Sequence, residues 1–137
     1  MAGLQVLEEE FSGQGFHVLG FYSDDFGSQG GSDGDIDACT SQYAVTFPQF
    51  AKDHVKDVDG AGPLEPQPVW KWLLSQPNVG PEMSLVPGWN FNKYLISRDG
   101  DLVAHWGSST YWGTNPNDPA FDMNAIVVAI QAELAKP

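Results

Sequence analysis

The chain has 137 residues, 42% of them hydrophobic, with one cysteine; a single domain spanning 1–137 is expected and an internal disulfide is excluded. Its 18 acidic and 6 basic residues leave a net charge of −12, which repels phosphate backbones and anionic lipid and sets aside nucleic-acid and membrane-surface roles. No apolar run reaches bilayer-spanning length, and MAGLQVLEEEF carries no basic-then-apolar leader pattern, so a soluble, cytoplasmic protein is expected.

In chain order, AGLQVLEEEF places Leu4, Leu7 and Phe11 on one helical face and Glu8, Glu9 and Glu10 toward water. Gly13 and Gly15 stop that helix. FHVLGFY (16–22) has the length and composition of a buried strand and leads into a polar loop from Ser23 to Gly31. Ser32 is a helix cap, with Asp33 and Asp35 in the first turn and Ile36, Cys39 and Tyr43 on the inner face. VTFPQF (45–50) is a short strand with Pro48 near its end, which suits an edge.

A loop rich in Gly, Asp and Pro covers 53–68, VWKWLLSQ (69–76) is a short helix, and 77–88 is loop again. From Lys93 the pattern is a β-hairpin, with Asp99-Gly100 offering the positive φ angles of a type I′ turn. GTNPNDPAFD is polar. A last helix runs from about Asn124 to Ala135, capped by Asp122 or Asn124, with Ile126, Ile130 and Leu134 inward. This order points to an α/β class: a thioredoxin-like three-layer sandwich with a mixed sheet and a C-terminal β-hairpin, lacking the usual first strand.

Few residues carry chemistry. Asp33, Asp35 and Asp37 alternate like the front of a calcium loop, but Ala38 and Ala44 stand where that loop needs glycine and glutamate. His17, His54 and His105 have no metal-ligand spacing and are expected to be ordinary, satisfied histidines; no cofactor or metal is expected. Asp24 and Asp25 follow a strand directly, where α/β proteins place function, yet on placement alone a solvated acidic turn is the simpler account. Cys39 reads either as a small hydrophobe or as a thiol whose ionisation the nearby aspartates oppose. Trp89 and Asn90, at the mouth of the hairpin, are fixed neutral N–H donors able to stabilise a thiolate, selenolate or oxyanion; packing alone accounts for Trp89 better than for Asn90.

The blocks LQVLEEEF, GFHVLGFYSDDFGSQ, YAVTFPQFAK, QPVWKWL and WNFNKYLISRDGDLVAHW, in this order and at this spacing, resemble a glutathione peroxidase across nearly the whole chain. The resemblance implies a thioredoxin-like fold and reduction of hydrogen peroxide or organic hydroperoxides in the oxidative stress response. It implies that Trp89 and Asn90 are donors to the reactive sulfur or selenium. It sets Asp25 at the position of the family's glutamine, where an ionised carboxylate donates nothing and repels a thiolate. It sets Cys39 where thioredoxin-dependent members carry a resolving cysteine, which acts after its helix unwinds locally. The family's peroxide-attacking Cys or Sec lies just ahead of LQVL and is absent from these residues.

The expectation is therefore a peroxidase that lacks its nucleophile and is inactive as residues 1–137, as when a selenocysteine codon is read as a stop. With few basic residues, a thioredoxin-type protein is the expected reductant rather than anionic glutathione, and the short 77–88 loop suggests a monomer or dimer. The rival readings are a non-catalytic thioredoxin-like binding module and a one-thiol reductase using Cys39.

Overall fold

The computed structural model describes residues 1–27, 30–57, 65–80, 84–110, 116, 117, 121 and 124–137. Its elements are α1 (Ala2–Phe11), a 3-10 turn (Ser12–Gln14), β1 (Gly20–Phe21), α2 (Asp33–Gln42), β2 (Gln49–Phe50), α3 (Pro68–Leu74), β3 (Lys93–Ile96), β4 (Leu102–Trp106) and α4 (Ala125–Leu134). Among the described residues β1 pairs with β2, and β3 with β4. The chain divides into two compact units. One is Met1–Gly20, Gly31–Phe50 and Tyr111–Pro137; the other is Phe21–Gly30 and Ala51–Thr110.

In the first unit α1 buries Leu7 and Phe11, as its spacing requires, and Phe11 meets the rings of Phe16 edge-on at 6.2 Å and Phe121 stacked at 6.4 Å. Phe47, Ile126, Val127 and Ile130 are buried as well. Glu8, expected in water, is buried instead: its carboxylate accepts the Val18 N–H at 2.7 Å and pairs with His17 Nδ1 at 3.0 Å. A carboxylate leaves water only where such partners replace its hydration. Gln5 is buried likewise, accepting the Thr46 N–H at 2.9 Å and donating to Thr46 Oγ1 at 3.0 Å.

The strand expected over 16–22 is reduced to Gly20–Phe21, and Leu19 is 52% exposed. With one two-residue partner among the described residues, too few ladder bonds form to hold 16–19 extended and covered. β2 begins after Pro48 rather than ending near it. Proline gives no ladder N–H, but its carbonyl accepts from Gly20 N at 2.9 Å. Helix α2 has the expected cap, with Ser32 Oγ accepting the Asp35 N–H and Asp35 returning to the Ser32 N–H. It buries no residue, however. Ile36 and Cys39 are half-buried and Tyr43 is exposed, so its inner face is only a weak one. At α4 the cap is Asn124, whose Oδ1 accepts from Ile126 N and Val127 N; Asp122 lies outside the described residues. Val127 is fully buried, whereas Leu134 is half-buried.

In the second unit Phe26, Val55, Trp70, Leu73, Leu85 and Leu102 form the core, with Phe21, Leu74, Val79 and Tyr94 packed against it. Each such buried side chain is worth roughly 1.5–3 kcal/mol. Trp70 organises it, meeting Phe21 edge-on at 6.0 Å and Tyr94 edge-on at 5.2 Å. Pro68 at the first position of α3 suits the helix start that the sequence suggests one residue later.

The hairpin pairs Lys93 with Trp106, Tyr94 with His105, Leu95 with Ala104 and Ile96 with Leu102, leaving a bulge at Val103. Its turn is not the expected type I′. Gly100 N donates to Ser97 O at 3.1 Å and Ser97 N to Asp101 O at 2.8 Å, which makes Arg98 and Asp99 the central pair and Gly100 (φ 88°) the left-handed residue after them. Glycine takes that φ without strain, and the extra residue sets the bulged register.

Candidate active site

Three alternate residues of one segment meet three successive residues of another within the second unit. Beyond β1, Asp53 N donates to Tyr22 O at 3.1 Å, which brings 52–56 alongside 24–26. Lys52 Nζ then lies 2.7 Å from Asp24 Oδ2, His54 Nδ1 lies 2.6 Å from Asp25 Oδ1, and Lys56 Nζ stands 4.7 Å over the Phe26 ring. In an extended segment, residues two apart share a side, which is what makes this zipper possible.

Asp25 is the most committed of these groups. Its side chain is 1% exposed, and its second oxygen accepts the N–H groups of Val55 at 2.8 Å and Lys56 at 3.3 Å. Burial alone would push the carboxyl up, but the Val55 N–H and the His54 ring outweigh it and hold the group below the usual carboxylate range. Asp25 is thus an anion whose lone pairs face 54–56. Asp24 is held low by Lys52 and by the Gly30 N–H, and its carboxylate is exposed. Asp25 is not the solvated carboxylate that the sequence allows, whereas Asp24 stays at the surface in an ion pair.

Trp89 lies on the turn before β3, 50% exposed, with its ring 6.3 Å from that of Phe26. Asn90 is half-buried beside it, and Phe91 takes a left-handed φ of 59°. The Trp89 carbonyl accepts the Asn92 side-chain N–H, which closes the turn. Next to Trp89 is a cavity of about 280 Å³, lined among the described residues by Ser84, Val86, Gly88, Trp89, Asn92, His105, Gly107, Ser108 and Ser109. His105 is 1% exposed and stacks on Tyr94 with ring centroids 4.4 Å apart. Gly80 lets the backbone approach there, because a Cβ at its φ of 144° would sit 2.5 Å from His105 O. Tyr94 donates to Leu85 O at 2.7 Å, and burial pushes its phenol well above the usual range.

Lys93 sits half-buried on β3, its Nζ donating to the carbonyls of Gly107, Ser108 and Thr110; burial pushes the ammonium down to about 8. Neither Lys93 nor His54 was expected at the site. The signal for His54 was present in the alternation Lys52, His54, Lys56 set against the pair Asp24-Asp25. Of the residues expected at the site, the second unit holds Asp25, Trp89 and Asn90, and Phe26 links the first two by touching Trp89 in the residue after Asp25. Cys39 belongs to the first unit, half-buried in the middle of α2. No group of three His, Cys, Asp or Glu side chains that could hold a metal gathers among the described residues.

Compared with models of protein families, the chain matches none. It is 35% identical over 132 residues to the hydroperoxy fatty acid reductase gpx1 of Synechocystis, covering 91% of this chain and 72% of that protein. It is 41% identical over 109 residues to the glutathione peroxidase homolog BsaA of Halalkalibacterium halodurans, covering 78% of this chain and 64% of that protein. Among solved structures it is similar to the crystal structure of Trgpx in its apo form, with a TM-score of 0.56 and 27% identity over 96% of this chain and 70% of the other. The chain belongs to the glutathione peroxidase family, peroxidases of α/β, thioredoxin-like fold. No helix among the described residues is long and apolar enough to cross a membrane.

Proposed function

We propose that the protein is a thiol or selenol peroxidase that reduces hydrogen peroxide or organic hydroperoxides in the cytoplasm, under oxidative stress, with a thioredoxin-type protein as reductant in preference to glutathione. The observation that carries this is Trp89, an indole left 50% exposed on a tight turn beside a cavity, in a chain of this family. A tryptophan that merely packed would hide more of its surface. Trp89 and Asn90 supply neutral N–H donors to the reacting sulfur or selenium, lowering the cost of its negative charge without adding a cation. The thiolate attacks the outer peroxide oxygen, the O–O bond breaks, and the sulfur becomes a sulfenic acid while alkoxide or hydroxide takes up a proton.

Cys39 is the resolving thiol in this reading. It attacks the sulfenic acid, a disulfide forms and water leaves. That step needs α2 to unwind locally, and a helix with no buried residue opens at low cost. Asp25 supplies no donor, since its carboxylate is ionised and faces 54–56. This reading takes as peroxide-attacking residue the Cys or Sec that the family resemblance sets just ahead of LQVL; the cysteine among the 137 residues is Cys39. Residues 1–137 alone are expected to turn over no hydroperoxide. The protein joined to a preceding segment with Cys or Sec is expected to do so with thioredoxin, and absence of turnover with both thioredoxin and glutathione ends the enzyme assignment.

The commitment of Asp25 to His54 favours a second reading, a thioredoxin-like binding module derived from a peroxidase. It expects a stable, monodisperse 137-residue protein in a melt and in sedimentation.

A further inference from the structure

The cavity beside Trp89 has a wall that is fastened. Lys93 Nζ donates to Gly107 O at 3.1 Å, Ser108 O at 3.2 Å and Thr110 O at 2.8 Å. The segment so held supplies Ser108 and Ser109 to the cavity, which Ser84, Asn92 and the buried His105 complete. About 280 Å³ falls just below the range for small-molecule sites, room for a head group rather than a whole ligand.

The chemistry of the lining selects among ligands. Among the described residues it offers hydroxyls, an amide and the Trp89 indole, over the buried ring of His105, with no Lys, Arg, Asp or Glu. Hydroxyls and amides pair with ligand hydroxyls, and the indole covers the apolar face between them. A carboxylate or phosphate head meets no cationic side chain among the described lining residues, the Lys93 ammonium being turned onto the carbonyls of the wall, and it approaches a protein of net charge −12.

We propose that this cavity seats the neutral, hydroxyl-bearing head group of an organic hydroperoxide of the glyceride type, with Lys93 as the positioning residue that holds its wall. The hydroperoxide rests on the peroxidase reading above, whereas binding of the head group requires no turnover.

Monooctanoylglycerol and octanoate, equal in acyl length and kept below their micelle concentrations, are titrated by calorimetry into the 137-residue chain and into its Ser109→Leu and Lys93→Met variants. The glyceride is expected to bind at least about tenfold more tightly than octanoate. Ser109→Leu, which fills the cavity from an exposed position, is expected to weaken the glyceride roughly tenfold. Lys93→Met is expected to weaken it too, with amide exchange quickening at 107–110 and unchanged in α3; a merely structural loss would speed both. Equal or tighter binding of octanoate, or a Ser109→Leu titration unchanged from the parent, overturns the proposal. In the protein carrying Cys or Sec ahead of Leu4, Ser109→Leu is expected to lower kcat/KM for a monoacylglycerol hydroperoxide relative to hydrogen peroxide. Glyceride binding without any turnover ends the peroxidase reading and leaves the head-group site standing. Turnover without glyceride binding ends the site and leaves the peroxidase.

Discussion

Asp25 accepts from His54 on one carboxylate oxygen and from the Val55 and Lys56 N–H groups on the other, with 1% of its side chain exposed. Asn at this position keeps the shape but loses the charge and turns one of the two acceptor oxygens into a donor. Asp25→Asn is therefore expected to cost about 2–3 kcal/mol at neutral pH, measured by denaturant unfolding. Because the folded-state pKa is depressed, this stabilisation is complete above the unfolded value of roughly 3.9 and is lost as pH falls through the folded value. The gap between parent and variant is expected to close in that acid window, and a gap independent of pH would deny the carboxylate its role. A glutamine at the same place, one methylene longer and uncharged, has a single oxygen to accept the Val55 and Lys56 N–H groups and an NH2 group in place of the second. Position 25 was legible as functional loop or acidic turn. That it is an anchor depends on His54, 29 residues away.

At the scale of elements, the caps were readable and the burial was not. Ser32 and Asn124 stand before their helices in sequence and cap them in space, because capping is settled within four residues. Ser32→Ala removes the acceptor for Asp35 N and the hydroxyl that donates to Asp35 Oδ2, leaving the Ser32 N–H on that carboxylate, and is expected to cost about 1 kcal/mol of stability. Since α2 has no buried residue to hold it, its amides are expected to exchange before those of α1 and α4 in hydrogen-exchange mass spectrometry. Equal protection of the three would remove the structural support for Cys39 as a thiol that leaves its helix. In α1, the run Glu8-Glu9-Glu10 reads as one solvated face, yet Glu8 is inside and Glu9 and Glu10 are out. Helical periodicity names the side on which a residue lies; whether a backbone N–H waits there is decided by a segment ten residues on.

For the molecule as a whole, the net charge of −12 sets a mean repulsion that salt screens. The melting temperature is expected to rise by a few degrees between about 10 mM and 0.5 M sodium chloride, within the shift that 1 kcal/mol produces in a domain of this size. A fall instead would mean that the pairs Lys52–Asp24 and Lys71–Glu65 outweigh the surplus of carboxylates. Exposed pairs of that kind contribute little on their own. The same charge bears on the site: two of the six basic residues, Lys52 and Lys56, are gathered against 24–26, and a third, Lys93, is turned onto backbone carbonyls.

What the sequence determined by itself was whatever local chemistry decides. That covers the helix caps, the antiparallel hairpin with glycine at its tip, the apolar faces of α1 and α4, and the collinear blocks that mark the family. Tertiary structure decided the rest, because those outcomes depend on partners distant in the chain. It shortened β1 to two residues, turned the Asp25 carboxylate onto 54–56, buried Glu8 against Val18, and spent Lys93 on the loop that walls the cavity. A polar side chain leaves water only where another segment brings its hydrogen-bond partner, and no periodicity within the chain records which segment that will be.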